Sequence, residues 1–257
     1  MRKALLALLT GCTTLGPMPA TTGVSAVPIN RPGGEVQLGP VPGFFLSSSA
    51  HAKPQGAPIM QASAMVEPDR WLGIPGLVLG ARLFGQNGDT PGEPYVGYRR
   101  TVRQDLSIGG GIYGTSKHST QKLASYKATR IGGEFALDAS LWESEWLGFH
   151  LQGAGSATHI NASGQYCVDM MGIAKDCNIE DPTMNTMIDG KQSGVYPAAI
   201  GTLALDFAKG RDGVFDGARL ALMFATGSMP MLKDGEKTGT DTYAAAGLTL
   251  TLGIADE

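Results

Sequence analysis

The feature that most constrains this chain is a hydrophobic alternation of period two, which begins near residue 77 and recurs to the C-terminus. In residues 131–142, Ile131, Phe135, Leu137, Ala139 and Leu141 share one parity, while Glu134, Asp138 and Ser140 share the other. Successive side chains of a strand point to opposite faces, so one surface is apolar and the other carries two carboxylates. The same pattern returns in residues 77–84, 106–113, 147–156, 201–207, 218–224 and 243–254, with a weaker repeat in 95–102. These segments make eight predicted strands. In the weak one, Arg99 and Arg100 fall on opposite faces; the parity puts Arg99 inside and Arg100 at the edge, where its long stem reaches past apolar surface.

The connections carry separate information. Arg103-Gln104-Asp105, Glu143-Ser144-Glu145 and residues 210–217 are short, whereas residues 87–93, 117–129, 161–193 and 229–241 are long. Short turns at one end and long loops at the other are typical of transmembrane barrels, with the turns periplasmic and the loops extracellular. An even strand count brings both ends of the barrel to the short-turn side.

The chemistry of the two faces predicts which one lines the lumen. Arg82, Arg99, Glu134, Asp138, His150, Asp206 and Arg219, spaced by Gly, Ala and Ser, suit a narrow interior filled by side chains. Leu, Ile, Phe and Ala on the opposite face suit hydrocarbon, where closure of the sheet gives every backbone group a partner. Aromatic residues flank the strands only thinly. A soluble barrel of the lipocalin type reverses these faces, and that alternative stays open on sequence alone. No stretch approaches the roughly 18 apolar residues of a transmembrane helix. With 17% charged residues and a formal charge of −3, no basic stripe for nucleic acid is present.

The N-terminus has the layout of an export signal. Arg2 and Lys3 precede an apolar run from Ala4 to Leu9, followed by Leu9-Thr10-Gly11-Cys12. This tetrapeptide resembles the lipobox of bacterial lipoproteins, which implies cleavage before Cys12 and a diacylglyceryl group on its thiol. Residues 1–11 are then the signal peptide. Residues 12–70 read as a tether, because Pro17, Pro19, Pro28, Pro32, Pro40, Pro42, Pro54, Pro58 and Pro68 remove donors and fix φ. Residues 71–257 form the predicted barrel. In strand pattern it resembles the small OmpA/OmpX-like barrels. The expected fold is therefore all-β: an antiparallel up-and-down eight-stranded transmembrane β-barrel preceded by a Pro-rich extended tether.

Within the lumen, Glu134, Asp138, His150 and Asp206 include an acid, a base and an orienting group, but Arg82 and Arg219 supply counter-charges, so paired charges blocking the bore are the favoured reading. Cys167 and Cys177 suit a disulfide in the long loop 161–193, worth about 3 kcal/mol by loop-closure entropy. His51, His118, His150 and His159 match no catalytic motif, no ligand spacing proposes a metal, and no cofactor motif appears. The function expected is structural or interaction-based: a lipid-anchored, membrane-spanning protein of the outer membrane whose partners are membrane lipid and a surface or periplasmic protein. The rival is a membrane-embedded lipid-modifying enzyme resembling lipid A deacylases or acyltransferases; a lipid-anchored soluble carrier is the third reading.

Overall fold

Ten antiparallel strands close into a single barrel in a computed structural model that describes residues 34–47, 60–85, 92–121, 124–168, 186–207, 215–233 and 237–254. They are β1 (Gly34–Ser47), β2 (Met60–Val66), β3 (Leu77–Gly85), β4 (Gly92–Arg103), β5 (Leu106–Gln121), β6 (Ala124–Glu143), β7 (Leu147–Val168), β8 (Thr186–Phe207), β9 (Phe215–Lys233) and β10 (Lys237–Ile254). Each strand pairs with its sequence neighbours, and β1 seals the sheet by pairing with both β2 and β10. One short helix, α1 (Asp69–Leu72), lies between β2 and β3.

The count of ten corrects the expected eight. The two additional strands, β1 and β2, come from the segment read as tether. Its prolines are accommodated rather than excluded: the register of β1 against β10 shifts between Leu38 and Val41 and again between Pro42 and Phe44. A bulge of this kind is where a strand tolerates proline. Gly39, inside the first shift, has φ of 107°, a conformation that a side chain would strain. Cys12 and the rest of residues 1–33 lie outside the described residues.

The long loops also need correction. β5 and β6 are joined through residues 122–123 alone, and their ladder runs out to Gln121↔Ala124. β7 and β8 pair as far as Val168↔Thr186, and β9 and β10 as far as Lys233↔Lys237. Much of 117–129, 161–193 and 229–241 is therefore strand. Its outward positions are polar, as at Lys127, Thr129, Asn161, Ser163 and Lys191, so the apolar half of the alternation stops although hydrogen-bond pairing continues.

Sidedness is unambiguous. Leu137, Leu203 and Leu250 are 43%, 41% and 39% exposed on the outer wall, whereas Glu134 and Asp206, on the lumen side, are 9% and 7% exposed. On β6 the outward apolar run extends from Leu141 to Ile131. At about 3.3 Å per residue and a tilt near 40°, this makes a band roughly 25 Å tall. At its short-turn edge Trp142 and Trp146 are exposed beside the β6–β7 turn, Trp71 is exposed on α1, and Tyr98 is exposed near the end of β4. All three tryptophans of the chain thus stand at one rim.

Candidate functional site: the barrel lumen

Strand parity sends one set of side chains inward, and charged groups dominate the part of the lumen lined by β1–β6. Arg82 on β3 donates to Glu134 Oε1 on β6 at 2.6 Å and lies 3.9 Å from Glu93 on β4. Arg130 on β6 approaches the same Glu93 at 2.7 Å. The Arg82 guanidinium also sits 4.6 Å and 5.0 Å from the ring centroids of Tyr95 and Tyr113, within cation–π range. Tyr113 is held in turn by Thr158, its Oη 2.7 Å from the threonine Oγ1. Glycines make room for both rings: a Cβ at Gly132 would stand 2.6 Å from the Tyr113 ring, and Cβ atoms at Gly97 or Gly111 would collide with Tyr95.

A second cluster lies nearer the short turns. Asp138 on β6 faces His150 Nδ1 on β7 at 2.8 Å and accepts from the Gln152 amide. Arg219 on β9 clasps Asp206 on β8 through two bonds of 2.6 Å and 2.7 Å, and reaches Asp138 at 3.5 Å. His150 Nε2 lies 3.5 Å from Asp206 and 3.8 Å from Glu143. A third group joins Arg99 to Glu35 at 2.9 Å and to Glu67.

All seven charged residues singled out by alternation, Arg82, Arg99, Glu134, Asp138, His150, Asp206 and Arg219, are buried on the lumen side. Arg100 is exposed on the outside. The structure adds Glu35, Glu67, Glu93, Arg130, Tyr95 and Tyr113 to the lumen. Glu93 falls in a segment read as a loop, Arg130 between the loop read as 117–129 and the strand read from Ile131, and Glu35 and Glu67 in the segment read as tether. The missed signal was parity itself: Arg130 shares that of Glu134 and Asp138, and Glu93 that of Tyr95 and Arg99. Cys177 lies outside the described residues; the backbone of Cys167 pairs with Met187 near the end of the β7–β8 ladder.

This arrangement is suited to locking the lumen. Arg82 and Glu93 are 1% and 0% exposed, so even water-sized access to their side chains is closed. His150 is 2% exposed, and both its ring nitrogens lie within 3.8 Å of carboxylates, which leaves a substrate no approach to it. On the opposite wall, Ile200, Met223 and Ala225 pack with Ala154 and Ala198 into an apolar patch. No group of three or more His, Cys, Asp or Glu with metal-binding geometry occurs among the described residues.

No family model and no curated protein matches the chain. Among solved structures the chain is similar to Ail, the attachment invasion locus protein of Yersinia pestis. That likeness has 10% identity and a TM-score of 0.31, and covers 85% of this chain and 96% of that one. It is also similar to CymD, described as a monoaromatic hydrocarbon channel, at 10% identity and a TM-score of 0.30, over 96% of this chain and 99% of that one. Identities and TM-scores this low assign no function.

Proposed function

We propose that this protein is a membrane-spanning β-barrel of the outer membrane, anchored further by lipid at Cys12, with a structural or surface-interaction role and a lumen closed by paired charges. The observation that carries this reading is sidedness. A closed sheet with Leu, Ile and Phe outside and Arg, Glu and Asp inside matches hydrocarbon as its surroundings and does not match water. Rows of paired charges favour a plug over a diffusion path, because each buried ion needs its counter-ion in place. The tryptophan rim fits a membrane–water interface, where indole rings concentrate. A soluble, lipid-anchored carrier fits poorly, since its apolar residues belong inside. A disulfide between Cys167 and Cys177 remains part of the proposal, as a restraint on the connection between β7 and β8.

Membrane fractionation of cells producing the full chain tests this reading. The protein is expected to resist carbonate extraction, to shift in gel mobility on heating, and to incorporate labelled palmitate that the Cys12→Ala variant does not. Release of the protein by carbonate, with no mobility shift, would contradict the spanning barrel. Absence of palmitate alone would remove only the anchor.

A further inference from the structure

We propose that His159 and Ser193, on the outer wall of the barrel, form a hydrolytic pair that cleaves long-chain fatty acyl esters of membrane lipid. The proposal rests on the membrane-spanning reading above, because it needs this wall to face lipid. Ser193 Oγ on β8 lies 3.3 Å from His159 Nε2 on β7, and both residues are exposed on the outside of the sheet. This is the hydrogen-bond contact that activates a serine hydroxyl, provided the imidazole carries its proton on Nδ1 and accepts at Nε2.

Position along the wall gives the pair its substrate class. His159 is the ladder partner of both Ile131 and Val195, which are 70% and 63% exposed and end the apolar band on β6 and β8. One step further from the short turns, the outward residues are Thr129, Asn161 and Ser193, all exposed and polar. The pair therefore sits where hydrocarbon gives way to headgroups, the depth at which lipid acyl esters lie. Below it the outer wall carries Val195 and Pro197 on β8 and Ala157 on β7, and below these it is built from Gly153 and Gly155 on β7 and Ala199 and Gly201 on β8. A Cβ at any of these three glycines would meet open space, so the wall is recessed there, between Phe135 on β6 and Phe224 on β9. An acyl chain lying along this recess and passing over Val195 and Pro197 brings its ester to the level of Ser193.

The chemistry balances with water alone. Ser193 Oγ attacks the acyl carbonyl carbon while its proton passes to His159 Nε2. The carbon–oxygen bond to the lipid alcohol then breaks, and His159 returns the proton to the departing oxygen. Water, deprotonated by His159, attacks the acyl-serine, releasing the fatty acid and restoring the hydroxyl. Asn161, directly opposite Ser193 in the ladder, places an amide donor on the same face for the oxyanion.

The test uses the full chain in two kinds of vesicle, one of phosphatidylethanolamine and phosphatidylglycerol, the other containing lipopolysaccharide, with fatty acid release followed by mass spectrometry. Release is expected in at least one arm, and which arm identifies the lipid. Ser193→Ala and His159→Asn should each lower it at least about 100-fold, the scale of a lost nucleophile or base, with unchanged heat-shifted mobility. A long-chain sulfonyl fluoride should label Ser193 and leave the His159→Asn variant unlabelled. No release from either arm by inserted protein, or release unaffected by Ser193→Ala, would overturn the hydrolytic pair and leave the barrel reading standing. Failure of the wild-type chain to insert would sink both.

Discussion

Tyr95 and Tyr113 occupy the lumen because residues beside them have no side chain. A Cβ at Gly111 would collide with Tyr95, so Gly111→Ala should cost about 1–3 kcal/mol, the range for overpacking. At Gly153 a Cβ meets nothing, and Gly153→Ala should be neutral or raise stability by up to about 1 kcal/mol, since glycine inside a strand is entropically costly. Urea unfolding from vesicles, read by gel mobility, compares the two. Arg219→Met should be more severe. It leaves Asp206 and Asp138 facing each other without the guanidinium that joins them, at a cost of about 3–5 kcal/mol by the same assay. A shift under 1 kcal/mol would mean that water, and not Arg219, already satisfies those carboxylates. At this scale the sequence was informative wherever a residue lay inside a recognised strand: parity alone assigns Glu134, Asp138 and Asp206 to one face. It was silent on partners, because Arg82 and Glu134 stand 52 positions apart and nothing local joins them.

Among the elements, the eight strands β3–β10 were visible at least in part and the first two were not. β6 announces itself because both halves of its alternation are strong between Ile131 and Leu141. β1 hides because Pro40, Pro42 and Gly39 break its rhythm, and a bulge restores pairing in a way that no two-residue period reveals. The far ends of β6, β7 and β8 hide for another reason. Above the apolar band both faces of the sheet are polar or small, and hydrophobicity then reports solvent rather than secondary structure. The band predicts a depth-dependent penalty. Leu137→Arg, near mid-band on β6, should destabilise the inserted barrel by about 2–4 kcal/mol, while Leu141→Arg at the rim should cost at most about 1 kcal/mol. Folding into vesicles of increasing urea content measures both, and equal penalties at the two sites would argue against a bilayer around β6.

For the whole molecule, a single sheet closed on itself leaves no edge strand exposed around its waist, and this matters because lipid offers backbone groups no partners. Closure required the two N-terminal strands: β1 supplies the pairing that joins β10 to β2, so a chain trimmed to start at residue 71 would present two open edges. The candidate site follows in part from the same closure: Arg82–Glu134, Arg130–Glu93, Arg99–Glu35 and Arg219–Asp138 join strands that are not neighbours, whereas Arg219–Asp206 and Arg82–Glu93 are already ladder partners. The account depends above all on which face of the sheet meets lipid. Its most direct test is a nitroxide scan of β6, in a background with Cys12, Cys167 and Cys177 replaced by Ser, refolded into phospholipid vesicles. Labels at Phe135, Leu137 and Ala139 should collide readily with oxygen and poorly with a water-soluble nickel complex, while labels at Ala136 and Ser140 should be shielded from oxygen. The opposite assignment of the two sets, or uniform accessibility along the strand, would contradict the account.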